Sequence, residues 1–274
     1  MTAGSAAAAP RLRRAAADTD AAPVRVLLMH GMGGGIGNWD PLDHLLSAEY
    51  ELWDVAFPWS VSGGAAWAYD ADVTRSASAA ADAVDPDVVI AHSFAANVLL
   101  ELAGREGPGW ERPIVLLSPF YRAVHADFEW SSIGQYVAGF RRMLDDGIRL
   151  RAGSRIDEAT RADMAGRLCE LMGPYTWLRF FDTYLRTPLL RLDRIEVPVL
   201  VVGGELDQGA FPEGARTLAG RLPAAGVRIL ADCGHFPMIE QPEALAESIN
   251  RFISSLPAVP GRGTHSDRIL ERST

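Results

Sequence analysis

The sequence predicts an α/β fold with a mostly parallel central sheet. From Val24 onward, short apolar runs alternate with longer amphipathic stretches, a pattern typical of parallel strands joined by crossover helices. The apolar runs contain few polar residues, as expected of strands that helices cover on both faces. With 274 residues, the chain can form one such domain and still accommodate an inserted subdomain.

Six apolar runs are predicted to form the strands of this sheet. They are VRVLLMH from Val24, YELWDVAF from Tyr50, DVVIAH from Asp87, PIVLLS from Pro113, VPVLVVG from Val197 and VRILAD from Val227. Helices are predicted between and after these strands, over residues 42–47, 65–84, 94–104, 213–222 and 242–256.

The regular alternation stops between residues 118 and 197. This stretch contains no evident strand but several helical, aromatic-rich segments. We therefore predict a helical cap over residues 119–194, inserted into a core formed by residues 23–118 and 195–256.

The ends of the chain are predicted to be loose. Residues 1–22 lack the continuous apolar segment of a secretory signal, so we expect a disordered tail. Residues 257–274 are rich in Pro, Gly and charge, and we expect a flexible tail. No run approaches the roughly 18 consecutive apolar residues of a membrane span. The cytoplasm is therefore the expected location.

Composition argues against several functional classes. The net charge of −9 disfavours a nucleic-acid partner, because such partners are bound by clustered basic side chains. Cys169 and Cys233 are too few for a disulfide framework, and their spacing fits neither a metal site nor a redox pair. We expect both to be small buried apolar residues.

Ser93 is the candidate nucleophile. The run DVVIAHSFAANVLLELAG places it after an apolar strand and before an Ala- and Leu-rich helix, and such a sharp turn projects the hydroxyl at its apex away from the sheet. The usual G-x-S-x-G signature is altered, because Ala91 and Ala95 occupy both glycine positions. A Ser between a strand and a helix is also a common N-cap, so other motifs must decide between the two roles.

A glycine-rich loop, MHGMGGGIGNW, follows the first predicted strand. Glycines let main-chain N–H groups approach an oxyanion that develops during acyl transfer, and the N–H groups of Met32 and Phe94 are the expected donors. A dinucleotide site is the alternative, since Asp54 follows about 20 residues on. The spacing argues against that site, because no register of G-x-G-x-x-G places a glycine at its third position.

An acid and a histidine follow in two later strand-end loops. In VPVLVVGGELDQGA, Asp207 is the expected partner of a catalytic histidine, with Glu205 as the alternative. In ADCGHFPMIEQPEALAESINRFI, His235 lies between the last strand and the last helix. It is the one histidine in a strand-end loop after both the serine and the acid, so we expect it to be the base. His92 is expected to point into the fold.

The order Ser93, Asp207, His235, each following a strand, resembles the α/β-hydrolase superfamily over residues 24–256. HGMGGGIGNWDPL resembles the oxyanion loop, and CGHFPMIEQPEALAESINRFI resembles the segment of the catalytic histidine. The resemblance implies a serine hydrolase that needs no metal or cofactor. The chain departs from the family pattern in three ways. The two strands before the oxyanion strand have no evident counterpart, DVAFPWSVSGG replaces the D-x-x-G-x-G-x-S loop, and alanines flank the nucleophile.

Aromatic residues predict an apolar substrate. Candidates for lining the pocket are Trp39, Trp59, Phe128, Trp130, Tyr136 and Phe140. The alternative for each is a place in the hydrophobic core of the cap or domain. The expected substrate is an ester, thioester or lactone of an apolar acyl group, either a small molecule or linked to a carrier.

Two other functions remain open from the sequence. A tailoring enzyme of the same fold would transfer the acyl group to an alcohol or amine, or guide a cyclisation, rather than hydrolyse it. A non-catalytic protein of this fold would bind a small molecule. Candidates at all three triad positions argue against the second alternative, and the oligomeric state is left open.

Overall fold

The computed structural model describes residues 9–17, 22–70, 72–105 and 109–257. Within these ranges one sheet of seven strands forms the centre of the molecule. The strands are β1 (Arg11–Arg14), β2 (Val24–Met29), β3 (Tyr50–Asp54), β4 (Val88–His92), β5 (Ile114–Leu117), β6 (Val199–Gly204) and β7 (Ala225–Leu230).

The strand order is β1-β3-β2-β4-β5-β6-β7. Strand β1 runs antiparallel to β3, with Arg11 opposite Asp54, and every other neighbouring pair is parallel. In the middle of the sheet, Ala91 lies opposite Met29 on one side and Leu116 on the other. The prediction of a mostly parallel sheet is confirmed.

Helices connect the strands and cover the sheet. The α-helices are α1 (Arg75–Val84), α2 (Phe94–Ala103), α3 (Trp130–Ala152), α4 (Glu158–Leu185), α5 (Pro212–Arg221), α6 (Pro237–Glu240) and α7 (Pro242–Ser255). Short 3₁₀ helices span Ile36–Leu42, Val61–Gly63, Ala66–Tyr69, His125–Asp127, Gly153–Arg155, Thr187–Leu189 and Leu192–Arg194. Among the described helices, none combines the length and apolar character needed to cross a membrane.

Alternate residues of each central strand pack into two different cores. In β4, Val89 and Ala91 join the core under α1, α2 and α5. Val88 and Ile90 join the opposite core, under α7 and the 3₁₀ helix Ile36–Leu42. Because successive side chains of a strand point to opposite faces, a strand between two helical layers must be apolar throughout, as these runs are.

The prediction of a tail over residues 1–22 is wrong for β1. The sheet does not start at Val24, because β1 pairs with the outer edge of β3. A run of arginines gave no apolar signal for a strand, yet an edge strand with one exposed face does not require one. Residues 1–8 and 18–21 lie outside the described residues, as does the predicted flexible tail from residue 258 onward.

Arg13 holds β1 in place through its guanidinium group. Its side chain is 6% exposed and forms ion pairs with Asp40, Asp43 and Asp54. It also donates a hydrogen bond of 2.9 Å to the carbonyl of Ile36. These contacts join the edge strand to the 3₁₀ helix that follows the glycine-rich loop. The three carboxylates pair with this buried cation, and their attraction raises the pKa of Arg13 against the effect of burial, which lowers it.

Two of the five predicted helices differ from the structure. The helix predicted over residues 42–47 is replaced by the 3₁₀ helix Ile36–Leu42, with turns after it. The helix predicted over residues 65–84 consists of the 3₁₀ helix Ala66–Tyr69 and, after a break, α1. At that break Asp72 accepts hydrogen bonds from the main-chain N–H and the hydroxyl of Thr74, a local turn that competes with helix formation.

The segment between β5 and β6 contains two long helices, α3 and α4, which pack against each other. In the described part of residues 119–194 there is no strand, as predicted. Helix α4 is kinked at Gly173, where φ is 73° and ψ is 166°. Pro174 follows the kink and lacks the N–H of a regular helical hydrogen bond. The kink lets the first half of α4 lie against α3 while the second half reaches the core.

We predict that Arg13→Met lowers the free energy of unfolding by about 2 kcal/mol, because it removes a largely buried cation from three carboxylates, of which Asp54 keeps Arg11 as a partner. Urea denaturation measures this loss. Arg11→Met is the matched control: Arg11 also pairs with Asp54, but its side chain is 56% exposed, so the expected loss is much smaller. Equal losses for the two variants would contradict the role given to Arg13.

Candidate active site

Ser93 lies at the tight turn between β4 and α2. Its φ of 57° and ψ of −124° are rare for a residue with a side chain. The turn is held by its neighbours, since the N–H of Ser93 donates to the carbonyl of Leu117 at 2.8 Å and its carbonyl accepts from Ala96 N–H at 2.9 Å. This strained backbone turns the hydroxyl toward a cavity above the sheet.

The residues that flank the turn explain why alanine suffices there. Ala91 and Ala95 are both 0% exposed, so the strand and the helix pack closely around the serine. Asn97, on the first turn of α2, exchanges two hydrogen bonds with the main chain of Phe120, at 2.6 and 3.0 Å. The turn is therefore fixed by main-chain contacts on both sides and does not depend on glycine.

His235 lies between Ser93 and Asp207. Its Nε2 is 2.9 Å from the Oγ of Ser93, and its Nδ1 is 2.8 Å from the Oδ2 of Asp207. Both ring nitrogens are thus in hydrogen bonds, and an anionic Asp207 favours the tautomer with the proton on Nδ1. That tautomer leaves Nε2 free to accept the proton of the serine hydroxyl.

Asp207 is 3% exposed and is held as an anion. Burial raises its pKa, but the attraction of His235 and hydrogen bonds to the carboxylate outweigh burial, so the net pKa is lowered. Its Oδ1 accepts from the N–H groups of Gly209 and Ala210, both at 2.9 Å. Glu205, the alternative acid, points elsewhere: its carboxylate accepts from the N–H of Asp232. Asp207 is the acid that meets the histidine.

Two residues that the sequence reasoning did not single out for this role hold the His235 loop. Glu240 accepts hydrogen bonds of 2.9 Å from the N–H groups of Gly234 and Phe236, on both sides of the histidine. His92 contacts the carbonyl of His235 through Nε2 at 2.8 Å. Glu240 ends a short helix four residues after Phe236, a spacing and N-cap residue that differ from those of a capping box, so the sequence carried no clear signal for the first contact.

The glycine-rich loop approaches Ser93 directly. A Cβ placed on Gly31 would lie 2.8 Å from the Cβ of Ser93, so only glycine fits there without displacement. The loop is tied down by Trp59, whose indole N–H donates to the carbonyl of His30 and whose carbonyl accepts from Gly33 N–H, both at 2.9 Å. Met32 lies in this tethered stretch, and Phe94 N–H is at the first turn of α2, where main-chain donors lack intrahelical partners.

A cavity of about 250 Å³ opens at Ser93 and His235. Apolar side chains from the glycine-rich loop, α3 and α4 form most of its wall. The lining side chains are Met32, Asn38, Val61, His92, Ser93, Phe140, Met143, Leu144, Ile148, Arg151, Leu168, Phe180, His235 and Phe236, together with main chain of the loop and of Gly147. The cavity is therefore mostly apolar, and its polar lining groups are those of Asn38, His92, Ser93, Arg151 and His235.

The predicted lining residues are only partly found there. Phe140 lines the cavity at Ser93, and Tyr136 lines a neighbouring cavity of about 360 Å³ that shares Phe140. Trp130 was predicted wrongly, because it is 90% exposed. Phe128 packs edge-on against Tyr184 with ring centroids 5.0 Å apart, and it lines neither cavity.

The two tryptophans near the loop are buried instead of lining the pocket. Trp39 is 0% exposed in the core beneath the sheet, on the α7 side. Trp59 is 2% exposed, stacks on Phe57 at 4.6 Å and supports the loop from behind. Large aromatic rings bury more apolar area in a core than at a cavity wall, which explains both positions. Of the two cysteines, Cys233 is buried as expected and Cys169 is half-buried.

The chain belongs to the α/β hydrolase family, whose sequence model matches residues 26–248. The resemblance inferred from the motifs is thereby confirmed. A pimeloyl-[acyl-carrier protein] methyl ester esterase of Neisseria meningitidis is 26% identical over 245 residues, which cover 85% of this chain and 77% of that protein. A monoacylglycerol lipase of Xenopus laevis, abhd6-B, is 34% identical over 74 residues, or 27% of this chain, and the match spans about a fifth of that lipase (22%).

Solved structures share the fold. The esterase RhEst1 from Rhodococcus sp. ECU1013 superposes with a TM-score of 0.57 at 19% identity, covering 90% of this chain and 94% of that chain. The enol-lactonase from Burkholderia xenovorans LB400 also gives a TM-score of 0.57, at 15% identity, covering 90% and 96%. At such identities the likeness concerns the fold.

We predict that stability falls with acid because of two buried histidines. Burial lowers the pKa of His92 to about 3 and that of His30 to about 4, whereas an unfolded histidine titrates near 6.5. Above about pH 6.5 both histidines are mainly neutral in the folded and in the unfolded chain, so they do not lower the free energy of unfolding there. Below it the unfolded chain takes up protons that the folded chain does not, so each histidine lowers the free energy of unfolding by about 1.4 kcal/mol per pH unit.

Urea denaturation between pH 7 and pH 4 measures this dependence. The variant His92→Gln keeps an N–H donor for the carbonyl of His235. Its free energy of unfolding should fall less steeply with acid than that of the wild type, by the slope that corresponds to about one bound proton. A slope that the substitution leaves unchanged would show that His92 is not held neutral by the fold.

Proposed function

We propose that the protein is a serine hydrolase that cleaves esters or thioesters of apolar acyl groups. The observation that carries the proposal is the unbroken series of hydrogen bonds from Asp207 through His235 to the hydroxyl of Ser93, at 2.8 and 2.9 Å. A serine hydroxyl is a weak nucleophile at neutral pH and needs such an adjacent base. The series ends at a mostly apolar cavity of about 250 Å³, just below the usual lower size of ligand pockets, roughly 300 Å³.

In the first half of the proposed reaction, His235 Nε2 removes the proton of Ser93 as Oγ attacks the acyl carbonyl carbon. Asp207 stabilises the imidazolium that forms. The N–H groups of Met32 and Phe94 donate to the negative oxygen of the tetrahedral intermediate, and the start of α2 adds the positive end of a helix dipole. When the intermediate collapses, His235 gives its proton to the departing alcohol or thiol.

The second half releases the acyl group. Water attacks the carbonyl of the acyl-enzyme while His235 accepts a proton from it, and the new tetrahedral intermediate expels Ser93 Oγ, which recovers its proton from His235. The products are a carboxylic acid and the free enzyme. Every proton transfer of the cycle passes through one nitrogen atom, Nε2 of His235.

The apolar acyl group is supported by the cavity wall, in which Phe140, Met143, Leu144 and Phe180 face Ser93. We propose that residues 119–194 act as the cap that closes this space, since both α3 and α4 contribute to the wall. A carrier-linked ester is one form such a substrate could take, by analogy with the esterase of Neisseria meningitidis. A free small-molecule ester is the other.

We predict that a fluorophosphonate probe labels Ser93 in the native protein and that Ser93→Ala abolishes labelling. Phosphonylation requires an activated serine, so His235→Ala should slow it by several hundredfold or more, about the scale of base removal in a triad. Intact-protein and peptide mass spectrometry measure the rate and the modified residue.

The two acids provide a matched control for this experiment. Asp207→Asn should slow labelling strongly, because the amide disturbs the histidine tautomer, whereas Glu205→Gln should label at the wild-type rate. Labelling that persists in Ser93→Ala would refute the assignment of the nucleophile. A larger effect at Glu205 than at Asp207 would refute the assignment of the acid.

We predict that Gly31→Ala slows acylation of Ser93 while Gly35→Ala does not. The added methyl group at Gly31 would lie 2.8 Å from the Cβ of Ser93, so the loop and its donor N–H must move. At Gly35 an added Cβ meets nothing within 4 Å, and its φ of −168° suits any residue. A loss of about tenfold or more is expected for the first variant, the scale of a misplaced oxyanion donor. Similar rates for both variants would argue against the loop's role.

A further inference from the structure

Arg151 is a cationic side chain in the wall of the cavity at Ser93. The inner face of α3 consists of Phe140, Met143, Leu144, Gly147, Ile148 and Arg151. Their spacing of three and four residues is that of one face of a helix. The first five members give an apolar surface, and the face ends in a guanidinium group at the last turn of α3.

Arg151 forms no ion pair with any residue that the structure describes, whereas two nearby arginines do. Arg149 pairs with Asp146 at 3.0 Å and Arg161 with Asp145 at 2.9 Å, while Arg155 donates to the carbonyl of Ala152. No Asp or Glu belongs to the cavity lining. Arg151 is accessible to solvent, so it can remain charged without a protein partner and is available to a ligand.

Asp40 is the carboxylate whose attraction acts on Arg151, although the two side chains form no ion pair. Burial lowers the pKa of Arg151, and the attraction of Asp40 is the one effect that opposes it. Asp40 is itself engaged, because its carboxylate lies 2.5 Å from the guanidinium of Arg13. Asp40 therefore attracts Arg151 without forming an ion pair with it.

Asn38 adds a second unpartnered polar group to the same cavity. It is 1% exposed, lies in the 3₁₀ helix Ile36–Leu42 and lines the cavity. Its side-chain Oδ1 has no hydrogen-bond partner among the described residues. Because the two ends of an amide exchange by a simple flip, Asn38 can present either an acceptor or a donor to a ligand. A buried polar group without a protein partner normally contacts a water molecule, an ion or a ligand.

We propose that Arg151 binds an anionic oxygen group, a carboxylate or a phosphate, carried by the ester or thioester that Ser93 cleaves. This inference rests on the proposed function and defines its substrate class. Guanidinium matches both anions through paired N–H donors, and an anion would provide the contact that Arg151 lacks. Asn38 provides a further polar contact for the same ligand.

The position of Arg151 sets the separation of the anion from the reacting carbonyl. Gly147 lies at the level of the His235 loop, because a Cβ built on it would be 3.0 Å from the ring of Phe236. Arg151 is one helical turn farther along α3, about 6 Å. The proposed anion is therefore joined to the scissile bond by a linker, whose length depends on how far the Arg151 side chain reaches back along α3. Half-esters of dicarboxylic acids and thioesters of phosphopantetheine both have this form.

Matched pairs of substrates test the proposal. The first pair is the p-nitrophenyl half-ester of adipic acid and the p-nitrophenyl methyl diester of the same acid. The second is an S-acyl phosphopantetheine and the corresponding S-acyl pantetheine. The wild type should favour the anionic member of one pair by about 10- to 100-fold in kcat/KM, the scale of a charge-assisted hydrogen bond. The carboxylate pair and the phosphate pair distinguish the two sources of the anion.

Substitutions test whether the preference for the anionic substrate depends on Arg151. Arg151→Gln should abolish the preference, chiefly through KM, and Arg151→Lys should keep part of it because the charge remains without the planar fork. Arg167→Gln removes the same charge from the exposed side of α4, where Arg167 pairs with Asp163 and lies outside the cavity, and should keep the wild-type preference. No preference in either pair, or a preference that persists in Arg151→Gln, would overturn the proposal.

A binding measurement separates this proposal from the hydrolase proposal. In Ser93→Ala, calorimetric titration with the methyl half-ester of adipic acid and with phosphopantetheine should detect saturable binding of one of them, and the added Arg151→Gln substitution should abolish it. If the wild type cleaves none of the esters while this binding is observed, the hydrolase proposal fails and the role of Arg151 stands. If neither anion binds, the role of Arg151 fails whatever the wild type hydrolyses.

Discussion

The parallel alignment of β2, β4, β6 and β7 is the constraint on which the site depends. Parallel strands bring their carboxyl ends to one edge of a sheet, where ligands bind in such folds. At this edge β4 leads into Ser93, β6 into the Asp207 loop and β7 into the His235 loop. Ser93 and His235 are 142 positions apart in sequence, yet Oγ of Ser93 and Nε2 of His235 are 2.9 Å apart. The sheet sets the positions, and the loops supply the chemical groups.

Hydrogen bonds to main-chain groups then hold these loops in position, which a precise arrangement of side chains requires. Glu240 and His92 hold the loop of His235, and Trp59 holds the glycine-rich loop. None of these contacts involves the side chains of the triad itself. The geometry of the site therefore depends on buried polar groups such as His92. The free energy needed to protonate His92 in the folded chain is part of the stability of the whole domain.

The sequence predicted the elements that hydrophobic periodicity determines and the residues that the order of motifs along the chain indicates. Apolar runs predicted the six buried strands and, where they are absent, the α-helical segment between β5 and β6. The loops that end these runs predicted that Ser93, Asp207 and His235 converge. Strand β1 was not predicted, because a strand pairs with a sheet edge through its main-chain groups and does not need apolar side chains to do so. For Trp39 and Trp59 the sequence left both the pocket and the core open, because the side of an element on which a large ring packs depends on tertiary contacts.

The arginine-rich first strand also determines how the sheet ends. An uncovered edge strand presents free N–H and C=O groups that can pair with another chain. Here β1 occupies the outer edge of β3 and places Arg11, Arg13 and Arg14 along it, and charged side chains at an edge oppose further strand addition. A chain shortened to begin at Val24 would expose the main chain of β3 and release the 3₁₀ helix that Arg13 binds. Such a chain would therefore both loosen that helix and present a free edge open to strand addition.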